Sequence, residues 1–108
     1  MKANILIATL GILLLFSCRK SKQDPCFDSK KDAFKTTCCT SGANIEEYTF
    51  QGKTVYLYEP GNCGADMTSE VRNEKCETMG YLGGITGNNK INGEDFANAK
   101  FVKTVWSN

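Results

Sequence analysis

The spacing of apolar and polar residues changes character several times along this chain, and each change predicts an element. Ile5 to Phe16 is apolar almost without interruption, a run of about a dozen residues where a bilayer-crossing helix needs about 20. With Lys2 before it and Ser17 after it, the run has the layout of a removable signal segment. Farther on, Phe27, Ala33, Phe34 and Cys38 recur near a period of 3.6, and Asp24-Pro25 supplies an N-cap and a first helical residue. A helix over about residues 25 to 37 is predicted. If it is continuous, Cys26 and Cys38 lie about 18 Å apart along it, too far for the approach of about 7 Å that a disulfide needs.

The period then shortens to two. Ile45 to Phe50 and Lys53 to Tyr58 flank Gln51-Gly52, the length and composition of a tight β-hairpin. Pairing Phe50 with Lys53 sets Tyr48 opposite Val55 and Glu46 opposite Leu57, which gathers Tyr48, Phe50, Val55 and Leu57 on one core-facing side. Glu59-Pro60-Gly61-Asn62 reads as a turn, and Thr68 to Arg72 with Lys75 to Met79 read as a second hairpin around Asn73-Glu74. Gly80 to Gly93 is rich in glycine and asparagine and reads as an ordered loop. Phe101 to Trp106 is a closing strand beside the first hairpin, with Val102, Thr104 and Trp106 on one face and Phe101, Lys103 and Val105 on the other. The predicted fold is α+β and mainly β: one N-terminal helix packed on a small antiparallel sheet of hairpins, stapled by disulfides.

Loss of residues 1–17 leaves 91 of the 108 residues, enough for one domain. The division is a signal over 1–17, a tether over 18–24 and a single domain over 25–108. Thirteen basic residues against twelve acidic ones give no footprint for nucleic acid.

Cys18 closes a Leu-x-Ser-Cys sequence that resembles the lipobox of bacterial lipoproteins, in which the cysteine sulfur receives a diacylglyceryl group and the freed amine is acylated. Each buried acyl CH₂ contributes about 0.8 kcal/mol, so several chains anchor stably. Arg19-Lys20-Ser21-Lys22-Gln23 is a polar tether. It is basic, unlike the acidic export signal of surface lipoproteins in bacteroidete bacteria, so the expected place is the outer membrane, facing the periplasm.

The remaining cysteines are Cys26, Cys38, Cys39, Cys63 and Cys76. An exported chain meets an oxidising compartment, so two bridges and one free or intermolecular thiol are expected. Cys63 and Cys76 are the expected pair, because the turn-rich chain between them folds back easily, with the second bridge drawn from Cys26, Cys38 and Cys39. Without histidine or Cys-x-x-Cys, no metal site and no cofactor are expected.

Lack of histidine also removes Ser-His and Cys-His nucleophiles. Glu46 with Glu47 and Asp66 with Glu70 are the acidic pairs available for carboxylate chemistry, but neighbours on a strand point to opposite faces. Asn88, Lys90, Asn92 and Gly93 fit part of a calcium-loop pattern, with a lysine of the wrong sign at its third place and Ala99 where its glutamate belongs. No catalytic residues are expected. Tyr48, Tyr56, Tyr58, Tyr81 and Trp106 either pack or form an aromatic surface. Tyr56, Tyr58, Asp66 and Asp95 are the candidate binding residues.

GKTVYLYEPGNCGAD, EVRNEKC and GYLGGITGNNKINGEDF together resemble an uncharacterised domain of small bacteroidete lipoproteins. The matching features are Val55-Tyr56, Cys63 with Asp66, Cys76, Gly83-Gly84-Ile85-Thr86-Gly87 and Asp95-Phe96. Relatives carry a second cysteine at the place of Gly64 and another near Gly93. If those two bond each other, the resemblance implies that Cys63 is left for Cys76. It implies location and fold and no reaction. The functional expectation is a non-enzymatic envelope module, anchored to the membrane by lipid, that binds a protein or cell-wall partner. The alternative is a small protease inhibitor presenting the loop from Glu59 to Cys76.

Overall fold

The computed structural model describes residues 25–108. The apolar run from Ile5 to Phe16, Cys18 and the tether lie outside the described residues. Helix α1 spans Cys26–Thr37, and seven strands follow: β1 Asn44–Phe50, β2 Lys53–Glu59, β3 Thr68–Asn73, β4 Thr78–Gly83, β5 Lys90–Ile91, β6 Glu94–Asp95 and β7 Lys100–Ser107. A 3₁₀ turn at Phe96–Asn98 precedes β7.

The first hairpin forms in the register that the alternation demands, with Phe50 opposite Lys53, Tyr48 opposite Val55 and Glu46 opposite Leu57. Gln51 and Gly52 both take positive φ, at 53° and 76°, as a two-residue turn matched to strand twist requires. Strand β7 lies antiparallel to β1, as the sequence predicts. Its simple alternation is broken by two register shifts, however, which place Trp106 opposite Ile45 but Thr104 opposite Glu46. Trp106 and Thr104 therefore point to opposite faces, and both Val105 and Trp106 reach the same apolar cluster. An extra residue in a bulge shifts the period in this way.

The second hairpin is displaced from its predicted place. Its second strand is Thr78–Gly83 rather than Lys75–Met79, so the segment read as a loop from Gly80 begins inside the sheet. Asn73 is the cause, since its side-chain Oδ1 accepts from the Lys75 N–H at 2.9 Å and from the Glu77 N–H at 3.0 Å. That widens the turn to include Cys76, which takes a left-handed φ of 65°.

The predicted arrangement of a helix packed on a small sheet of hairpins does not form. The strands join into one five-stranded antiparallel sheet in the order β4-β3-β2-β1-β7, with β5 and β6 as a separate two-stranded ribbon. The helix has too narrow an apolar stripe to make a layer, since Phe27 is its one buried residue. It reaches the sheet through two rings: Phe27 lies 4.6 Å from Tyr56, and Phe34 lies 5.3 Å from Tyr58. Mainly β remains the right class.

Two cores result from the two faces of the sheet. Phe50, Val55, Leu57 and Val71 face one way and are covered by Ile91 and Phe96 from the ribbon and the 3₁₀ turn. Ile45, Tyr56 and Tyr58 face the other way, toward Phe27. Burying each such side chain contributes about 1.5–3 kcal/mol.

Candidate functional site

Two disulfides hold the domain at its extremities. Cys26, the first residue of α1, is bonded to Cys76 with a Cα–Cα distance of 6.3 Å, and Cys39, just past the helix, is bonded to Cys63 at 5.7 Å. Cys38 is left as the free thiol among the described residues. The count of two bridges and one free thiol matches the sequence reading, but the Cys63–Cys76 pairing is overturned. The turn at Asn73–Glu77 presents Cys76 at one end of the sheet, where the helix begins. The chain at Cys63 sits at the opposite end, where the Cys39 N–H donates to the Pro60 carbonyl at 2.8 Å. Strand β3 lies between the two cysteines and keeps them apart. Cys26 and Cys38, set apart by the helix, are unbonded to each other, as its length requires.

The four residues expected to form a binding surface are not brought together. Tyr56 and Tyr58 are 4% and 2% exposed, beneath the helix rings. The Arg72 guanidinium lies 4.8 Å from the centre of the Tyr58 ring, and burial pushes the Tyr58 phenol up from its ordinary value. These tyrosines are core, and the expectation that they form a surface is wrong because the unpartnered face of the hairpin is closed by Phe27 and Phe34. Asp66 is exposed on the loop after β2 with a φ of 55°. Asp95 stands on the other face of the sheet, where its Oδ1 accepts from the Ala97 N–H at 2.9 Å and caps the 3₁₀ turn.

Of the acidic pairs, one member of each is engaged: Glu46 accepts from the Tyr48 hydroxyl, and Glu70 is held within the sheet. Glu70 accepts from Arg72 at 2.8 Å and from the Thr78 hydroxyl. Burial pushes its carboxyl up, and the hydrogen bonds from Arg72 and Thr78 outweigh that and hold it below the usual carboxylate range. Asn88, from the partial calcium pattern, spends its amide on the backbone, donating to the Tyr81 and Lys90 carbonyls at 2.7 and 2.9 Å. Among the described residues no group of His, Cys, Asp and Glu is placed to hold a metal ion, and no helix is long and apolar enough to cross a membrane.

Sequence reasoning named Tyr48 and Asp95 separately but did not join them in a shallow cleft of about 510 Å³ whose lining includes Tyr48, Leu82, Asn88, Asn89, Asp95 and Phe96. Tyr48 and Phe96 stack edge to face at 5.2 Å, and exposed Phe101 lies 5.7 Å beyond Tyr48. The Tyr48 hydroxyl donates to Glu46 at 2.9 Å. Its pKa is pushed up to about 12 by burial first and by that carboxylate second, so it stays a donor at any ordinary pH. Rings, amides and a carboxylate in one concavity suit binding. The usable sequence signal was Asp95-Phe96, where a capping residue and a large ring follow a glycine- and asparagine-rich stretch.

No curated protein and no solved structure matches the chain significantly. A family model does match, over residues 24–108, and the chain accordingly belongs to the DUF6970 family, a domain of unknown function.

Proposed function

We propose that this chain is a non-enzymatic binding module of a bacterial cell envelope, anchored by lipid on Cys18 to the outer membrane and facing the periplasm, where it takes a protein or cell-wall partner. The observation that carries the reading is the pair of disulfides, which tie residues 50 and 24 positions apart. Such bonds persist in an oxidising compartment and are rare in the cytosol. The Lys2, Ile5–Phe16 and Leu-x-Ser-Cys18 sequence supplies the route and the anchor. The cleft at Tyr48 and Phe96 supports binding. The carboxylates of Glu70 and Asp95 are engaged in holding the fold.

The protease-inhibitor reading drew on a Glu59 to Cys76 loop closed by its own disulfide. Cys63 and Cys76 bond elsewhere, and Thr68–Asn73 within that loop is an interior strand, so the geometry favours the binding module.

Expression of the full chain in a bacterial host, with membrane fractionation and intact mass, tests the reading. The expected product begins at an acylated Cys18 and sits in the membrane fraction, and Cys18→Ala releases it. A chain that carries no lipid, or whose membrane association survives Cys18→Ala, would overturn the proposed anchor.

A further inference from the structure

The two disulfides give the domain a direction. Helix α1 runs about 18 Å for its 12 residues, close to the length of a seven-residue strand at about 23 Å. Its start is fixed by Cys76 to the turn between β3 and β4, and the chain just past its end is fixed by Cys63 to the opposite end of the sheet. The β1–β2 turn lies at the Cys76 end, because Phe50 pairs with Lys53 and Val55 pairs with Asn73. The ribbon turn is tied there too, since Gln51 donates to Glu94 at 3.0 Å. This end therefore gathers Gln51, Gly52, Lys53, Glu74, Lys75 and Asn92, all exposed and none with a large apolar side chain.

The other end has a different chemistry. It carries Met67 at 37% exposure and Ile85 at 85%, held together by the Gly84 N–H donating to the Met67 carbonyl at 3.2 Å. Chain enters the domain at Pro25 and Cys26, so it enters at the polar end. Cys18 stands eight positions before Cys26, a span of at most about 28 Å of extended chain, and about 16 Å on average for a flexible one.

We infer that the Cys26–Cys76 bridge stands the domain with its polar turn end, Gln51–Lys53 and Glu74–Lys75, against a lipid surface, and displays the Met67 and Ile85 end away from it. The inference rests on the lipid anchor at Cys18 proposed above. The turns at this end have the hydrogen-bonding side chains that headgroups accept, and the exposed apolar Phe101 and Val102 lie on the side of edge strand β7, at the level of Tyr48, rather than in the turns. Anchored elsewhere, through the loop at Cys63 for example, the same domain would turn its apolar end to the membrane. The bridge makes the choice by locking the entry point of the chain to the turn end of the sheet.

The test uses the lipidated chain in lipid nanodiscs that contain a gadolinium-chelating lipid, read by NMR line broadening of backbone amides. Mass spectrometry of the same sample first establishes acylation of Cys18, so that failure of the anchor is recognised separately from failure of the orientation. In the acylated protein, the amides of Gly52 and Lys75 are expected to lose several-fold more intensity than those of Met67 and Ile85. Equal loss at both ends, or greater loss at Met67 and Ile85, would overturn the orientation. The unlipidated Cys18→Ser chain, mixed with the same nanodiscs, is expected to show no gradient. A gradient there would overturn the role of the bridge-fixed entry point.

Discussion

Cys26 opens the only α-helix among the described residues and is bonded to Cys76, which sits in a left-handed turn 50 residues later. A link over so long a loop restricts the unfolded chain strongly. The chain-entropy relation gives about 4 kcal/mol for it, and less when the Cys39–Cys63 bond already shortens the loop inside it. Replacing both Cys26 and Cys76 with alanine is expected to cost about 3–4 kcal/mol and to lower Tm by more than about 10 °C. Thermal unfolding followed by far-UV circular dichroism checks this. The helix should fray first from its N-terminal end, since the Cys39–Cys63 bond still holds the chain just past its other end.

Gly61 and Gly80 should respond very differently to alanine. A Cβ on Gly61 would lie 2.7 Å from the Ser41 carbonyl oxygen and 2.9 Å from the Cys39 Cβ, on a backbone with φ of 97°. Neither neighbour can move easily, because Cys39 is buried and bonded. Gly61→Ala is expected to destabilise by about 2 kcal/mol or more. On Gly80 the Cβ would meet only the tip of Ile91, its Cδ1, at 2.9 Å. That tip can rotate away, so Gly80→Ala should cost about 1 kcal/mol. Urea unfolding of both variants separates a backbone clash from a side-chain adjustment.

Glu70 makes stability depend on acid. Its carboxyl lies below its ordinary value of 4.5 in the folded protein because the hydrogen bonds of Arg72 and Thr78 outweigh the opposing effect of burial. A group whose folded pKa is depressed stabilises the protein fully above the unfolded pKa and loses that contribution as pH falls through the folded one. Stability should therefore hold from neutral pH down to about 4.5 and decline below it. Glu70→Gln should lower Tm at pH 7 and flatten the decline below about pH 4.5. An unchanged acid slope in the variant would assign the decline to other carboxylates.

Much of the fold was legible in the local pattern. The period-two alternation and the Gln51-Gly52 turn gave the register of the first hairpin, and the apolar positions of Phe101 to Trp106 gave its third strand. What sequence could not show depended on single side chains acting at a distance. Asn73 widens a turn by capping Lys75 and Glu77, which moves β4 by three residues. That shift carries Cys76 out of a strand and into a turn that meets Cys26. The cysteine pairing was missed for the same reason: closeness in sequence favoured Cys63 with Cys76, whereas β3 between them holds the two at opposite ends of the sheet. Tyr56 and Tyr58 were ambiguous because a hairpin face gives no sign of what covers it, and here two helix rings do. The cleft at Tyr48, Asn89 and Phe96 joins residues of β1 to residues more than 40 positions later, a meeting that no local period encodes.

The most direct measurement is disulfide mapping of the chain purified without reductant: alkylation of free thiols, proteolysis, and mass spectrometry with fragmentation to separate Cys38 from Cys39. The expected result is one peptide pair linked through Cys26 and Cys76, a second linked through Cys39 and Cys63, and the alkyl group on Cys38. A Cys63–Cys76 link, or alkylation at all five of these cysteines, would contradict both the bracing of the helix at its two ends and the oxidising compartment inferred from it.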